Sequence, residues 1–105
     1  MVTRKRLHRT IRQRLQETRI PARAYLYGSR ARGDAQKGSD WDILIIVPDN
    51  ATPEECSRLY RTFYELEWET GEVISCILMT ETEWEQLRRL QSPFTEQISR
   101  EAIPL

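Results

Sequence analysis

A chain of 105 residues has room for one hydrophobic core but not for a second, substrate-recruiting domain, so one domain over residues 1–105 is expected. Its net charge of +0 hides a strong polarity: residues 1–37 hold 11 Lys or Arg against 2 acids, a net of +9, and residues 38–105 hold 5 against 14, a net of −9. The basic third suits a polyphosphate, an acidic partner or RNA, while the acidic remainder argues against extended nucleic-acid binding, and no apolar stretch is long enough to span a membrane.

Leu7, Ile11 and Leu15 recur every fourth residue and predict a helix over residues 3–18, with Arg4, Lys5, Arg6, Arg9, Arg12 and Arg14 on its solvated side. Ile20-Pro21 ends it. Residues 24–27 read as a short strand, and the apolar run from Asp40 to Val47 as a central one, covered on both faces. Thr52-Pro53-Glu54-Glu55 combines an N-cap, a first-turn proline and a capping-box acid. It opens a helix to about Trp68 with Cys56, Leu59, Tyr60, Phe63 and Leu66 inward, stopped at Thr70-Gly71. Residues 73–79 form the third strand, apolar on both faces except Ser75. Thr80-Glu81-Thr82-Glu83 caps a helix with Trp84, Leu87 and Leu90 inward, and Ser92-Pro93 starts a last helical piece with Phe94 and Ile98 as its apolar contacts. Trp41, Trp68, Trp84, Tyr25 and Tyr27 sit within apolar patterns and are expected in the core or at its rim. The alternation of strands and helices predicts an α/β (α+β) domain, a small mixed sheet packed against helices on one main face.

The chemistry is concentrated between Tyr25 and Val47. In an extended chain Asp40, Asp42, Leu44 and Ile46 share one face, so two carboxylates stand together at the mouth of a buried strand. Like charges that close repel unless a cation lies between them, and Mg²⁺ accepts two carboxylates with water and substrate phosphates completing its shell. Ahead of them, Gly28 permits an unusual backbone angle and Ser29 opens a helical turn whose N–H groups and hydroxyl are phosphate ligands. Arg30 and Arg32 add guanidinium groups beside that turn, and residues 33–38 return the chain to the aspartates. His8 lies among arginines near the terminus and is expected to be exposed. Cys56 and Cys76 lack metal-ligand spacing and are expected as reduced thiols. With no apolar signal block at the N-terminus, a cytoplasmic location follows.

Gly28-Ser29, Arg32-Gly33 and Ser39-Asp40-Trp41-Asp42-Ile43 resemble the signature of the DNA polymerase beta-like nucleotidyltransferase superfamily, and the size and layout resemble its minimal nucleotidyltransferase (MNT) domains. The resemblance implies transfer of a nucleoside monophosphate, AMP from ATP in the first instance, to a protein or small-molecule hydroxyl. It implies two Mg²⁺ ions held by three carboxylates, with Asp40 and Asp42 as catalytic metal ligands. Gly28, Ser29, Arg32 and Ser39 would bind the nucleotide. It also implies an antitoxin role beside a HEPN-type helical partner, and an oligomeric assembly is compatible with it. Aminoglycoside modification, known among related transferases, needs an anionic pocket for which this chain has little room.

The third acid of the pattern is not evident, because Ser75 stands about where it belongs. Glu72 is the nearest acid, at the start of the strand and of opposite parity. It reaches a metal if the strand begins with a bulge, and is otherwise an exposed turn residue. A second function class therefore stands beside the enzyme: a catalytically impaired MNT-fold module that neutralises a partner by contact.

Overall fold

Local capping chemistry sets where the helices begin. In the computed structural model, which describes residues 3–105, the Thr3, Thr52, Thr80 and Ser92 hydroxyls each accept the N–H three residues on and open α1 (Arg4–Thr18), α3 (Pro53–Thr70), α4 (Glu81–Arg89) and α5 (Pro93–Glu101). At Thr52 and Thr80 the acid at the third helical position reaches back to the cap N–H, closing both capping boxes that the sequence predicts. A one-turn helix, α2 (Ser29–Arg32), lies between the first two strands. Met1 and Val2, the first residues of the expected 1–105 domain, lie outside the described residues.

The strands are β1 (Arg23–Tyr27), β2 (Trp41–Val47), β3 (Ile74–Thr80) and β4 (Ile103–Pro104). They form one mixed sheet in the order β3-β2-β1-β4, with β2 parallel to β3 and antiparallel to β1. β2 is central as expected, and its residues 43–47 are at most 2% exposed. Its alternation distributes the core. Trp41, Ile43, Ile45 and Val47 pack with Leu7 and Ile11 of α1 and Leu59, Phe63 and Leu66 of α3. Leu44 and Ile46 pack with Tyr27, Met79 and Ile98, flanked by Trp84, Leu87 and Phe94. Full burial of each such aliphatic side chain contributes about 1.5–3 kcal/mol, so this strand anchors both layers.

Helices therefore cover two faces, α1 and α3 on one and the shorter α4 and α5 on the other, where one main face was expected. Three inward expectations are also corrected. Tyr60 is 48% exposed, Trp68 77% and Leu90 77%. The buried stripe of α3 runs through Leu59, Phe63 and Leu66, and one residue's rotation turns Tyr60, Tyr64 and Trp68 out beyond the β3 edge, where the sheet ends. Leu90 falls at the C-cap of α4, past its last turn. Ile77 is likewise partly exposed because β3 is an edge strand, and Val73, just before it, is exposed as well. β4 was not foreseen: two residues, one a proline, carry no periodicity, yet they extend the sheet beside Tyr25 and Leu26. Among the described residues no helix is long and apolar enough to cross a membrane.

Candidate active site

Asp42 is the second residue of β2, opposite Tyr27 on β1 and beside Ser75 on β3. Its side chain points to the face covered by α4 and α5, at the end of the sheet where β1 runs out into Gly28. Gly28 adopts φ 77° and ψ −162°, a conformation essentially reserved for glycine. The bend lies directly against the aspartate: a Cβ at Gly28 would fall 2.2 Å from Asp42 Oδ2 and 3.2 Å from its Cγ. Only a residue without a side chain lets the backbone approach that carboxylate.

Burial holds the Asp42 carboxyl above the usual carboxylate range, the neighbouring Asp40 charge and Glu101 push it further up, and Arg32 pulls it back. Asp40 itself is exposed, immediately before the strand. An acid destabilised by burial and by a second acid is a site whose charge a cation relieves. Among the described residues no group of three or more His, Cys, Asp or Glu is arranged to hold a metal. Two carboxylates are the donor type a hard cation takes when water and a substrate's phosphates complete its shell. Tyr27, packed edge-on against Phe94 at 5.5 Å, has its hydroxyl pushed up to about 12, by burial first and then by Asp42 and Cys76, so it stays neutral beside the pair.

The remaining sequence candidates divide. Ser29 and Arg32 lie on α2, which starts from the Gly28 carbonyl; that carbonyl accepts the Ala31 and Arg32 N–H groups at 3.0 Å. Arg32 reaches Asp34 at 3.1 Å and Glu101 at 3.0 Å, and both contacts raise its pKa. Ser39 has a structural part: its hydroxyl accepts the Gln36 N–H at 3.0 Å and its carbonyl takes two bonds from the Arg30 guanidinium. Arg30 is turned away from the aspartates. Its guanidinium stacks 4.5 Å from the Trp41 ring centre and lies 4.0 Å from Glu72, so it braces the loop instead of adding to a phosphate site. Glu72 shares the parity of Ile74, the α1/α3 side of the sheet, and is engaged with Arg30; the fold does not bring it to Asp40 and Asp42. Ser75 is aligned beside Asp42 in the parallel register.

One acid at the site escaped sequence reasoning. Glu101, the last residue of α5, accepts the Gly28 N–H at 2.5 Å and grips Arg32 with both carboxylate oxygens, its side chain only 9% exposed. It lies 73 residues from Gly28, and no local spacing marks it.

A family model described as a nucleotidyltransferase domain matches residues 6–103. The chain belongs to that family. Its fold is shared with two solved structures: a toxin–antitoxin complex with AMP-PNP (TM-score 0.61, 17% identity, covering 92% of this chain and 70% of that one) and a nucleotidyltransferase candidate from Sulfolobus solfataricus (TM-score 0.53, 21% identity, covering 80% and 76%). No curated protein matches it in sequence. Within that shared fold, Gly28 and Asp42 meet at one end of the mixed sheet.

Proposed function

We propose that this nucleotidyltransferase-family chain, acting as one domain over residues 1–105 in the cytoplasm, transfers a nucleoside monophosphate, AMP from ATP, to a protein or small-molecule hydroxyl. The observation that supports this reading is the close approach of the Gly28 bend, which leads into Ser29 and Arg32, to the Asp42 carboxylate. Asp40 and Asp42 would hold Mg²⁺. Ser29 and Arg32 orient the triphosphate, and Ser39, through its bonds to Arg30 and Gln36, fixes the loop that carries Asp40. Held there, a divalent cation would supply charge neutralisation at the phosphates and a lowered pKa at the acceptor hydroxyl. The acceptor oxygen attacks the α-phosphorus in line, and pyrophosphate leaves. The chain's own part is positioning: a rigid β2 fixes Asp42, and α2 sets the phosphates against it.

The fold shared with a toxin–antitoxin complex that carries AMP-PNP supports an antitoxin that modifies a HEPN-type partner. The test is incubation of the pure protein with Mg²⁺, α-labelled ATP and lysate. Label transferred by the native chain and lost with Asp42→Ala supports the enzyme; no such transfer refutes it. The second reading, a module that neutralises its partner by contact, is favoured by Ser75 standing beside Asp42 in place of an acid. It requires Asp40→Ala and Asp42→Ala to leave neutralisation intact.

A further inference from the structure

Glu101 stands where an acid is not expected on local grounds. It is the last residue of α5, where the helix carbonyls already concentrate negative potential and an acid is disfavoured. Its side chain is nonetheless nine-tenths buried, and among the described residues it accepts hydrogen bonds from the Gly28 N–H at 2.5 Å, the Arg32 guanidinium at 3.0 and 3.2 Å, and the Gln97 amide at 3.4 Å. A backbone N–H beside a glycine bend together with a guanidinium fork is how proteins take a phosphate oxygen.

We infer that Glu101 is a resident stand-in for phosphate, holding the Gly28 N–H and Arg32 until a nucleotide displaces it, so that this carboxylate sets the affinity of the site. The inference rests on the nucleotide reading of the site and deepens it. A triphosphate entering against Asp42 competes for Arg32 and is repelled by the Glu101 charge; release of the Glu101 side chain removes both obstacles. The release does not require the chain end to leave, because β4 and Leu105 are tied to β1 by their own backbone bonds. The opposite role, a strut that holds Gly28 and Arg32 in the shape a nucleotide needs, makes the opposite prediction.

The experiment is calorimetric titration of MgATP into the wild-type protein, Glu101→Gln and, as a control for net charge, Glu96→Gln, which removes one negative charge from an exposed position on the same helix. Each variant is first checked for a cooperative melt, and exchange of the Gly28 amide is followed by NMR. Glu101→Gln is expected to bind MgATP about tenfold more tightly, one charge-assisted contact's worth, with faster Gly28 amide exchange, and Glu96→Gln to change affinity less than twofold. Equal or weaker binding by folded Glu101→Gln overturns the stand-in and supports the strut, while leaving the nucleotide site in place. Absence of MgATP binding in all three folded proteins refutes the nucleotide site itself, and the stand-in with it.

Discussion

Gly28→Ala is the sharpest perturbation the geometry offers. The backbone at φ 77° and ψ −162° costs a residue with a side chain about 1–3 kcal/mol. The new methyl would also fall 2.2 Å from Asp42 Oδ2, against 3.4 Å or more for ordinary contact, so the carboxylate must retreat by about 1 Å. Its Cγ and Cβ, at 3.2 and 3.4 Å, prevent relief by rotation of the outer atoms alone. Taking about 2 kcal/mol for the total strain, a domain of this size loses roughly 8–16 °C of melting temperature. A displacement of about 1 Å at a reacting centre costs roughly 10²-fold in rate. The control is Gly71→Ala: Gly71 also has positive φ (73°), at the end of α3, but nothing lies within 4 Å of its missing Cβ. That variant should cost about 1 kcal/mol and leave nucleotidyl transfer unchanged. Circular-dichroism melts and α-labelled ATP transfer on the two variants make the comparison. If Gly28→Ala melts with Gly71→Ala and transfers label at the native rate, the close approach of the bend to Asp42 is not what organises the site.

Ser75→Asp would restore an acid beside Asp42 in the parallel register; it should tighten Mg²⁺ binding by calorimetry and raise transfer, while lowering the metal-free melting temperature through like-charge repulsion. Because the fold raises the Asp42 pKa, the native state keeps that proton to higher pH than the unfolded chain does, so metal-free stability falls as pH rises from the ordinary carboxylate value through the raised one. Asp42→Asn should remove that decline from a series of melts at increasing pH, and added Mg²⁺ should offset it in the native protein. Arg30→Ala, which breaks the stack on Trp41 and both bonds to the Ser39 carbonyl, should destabilise by about 1–3 kcal/mol in denaturant melts while changing nucleotide affinity far less than Arg32→Ala.

What the sequence reveals and what it conceals follow from distance along the chain. Gly28-Ser29 and Asp40-Trp41-Asp42 are local patterns; the strand period predicts both acids on one side, and a bend reserved for glycine follows from the residue itself. The capping boxes at Thr52 and Thr80 are equally local and form as read. Tyr60, Trp68 and Leu90 mislead because an apolar residue at helical spacing shows a stripe but not whether a neighbour exists to cover it, and the sheet ends at β3. Arg30 and Arg32, two apart on one turn, look equivalent in sequence, yet one stacks on Trp41 and the other faces Glu101. Glu101 is hidden for a related reason: its role exists only after α5 folds back over β1, bringing the far end of the chain to the glycine bend.

The most direct measurement uses Mn²⁺ in place of Mg²⁺ with a non-hydrolysable ATP analogue while the amide NMR signals are watched. A paramagnetic ion held by Asp40 and Asp42 should broaden the amides of residues 28–29 and 40–42 first, spare those of α3, and lose its effect in Asp42→Asn. Broadening centred on Glu72 or elsewhere, or broadening that persists in Asp42→Asn, would contradict the assignment of the metal and nucleotide to this strand edge.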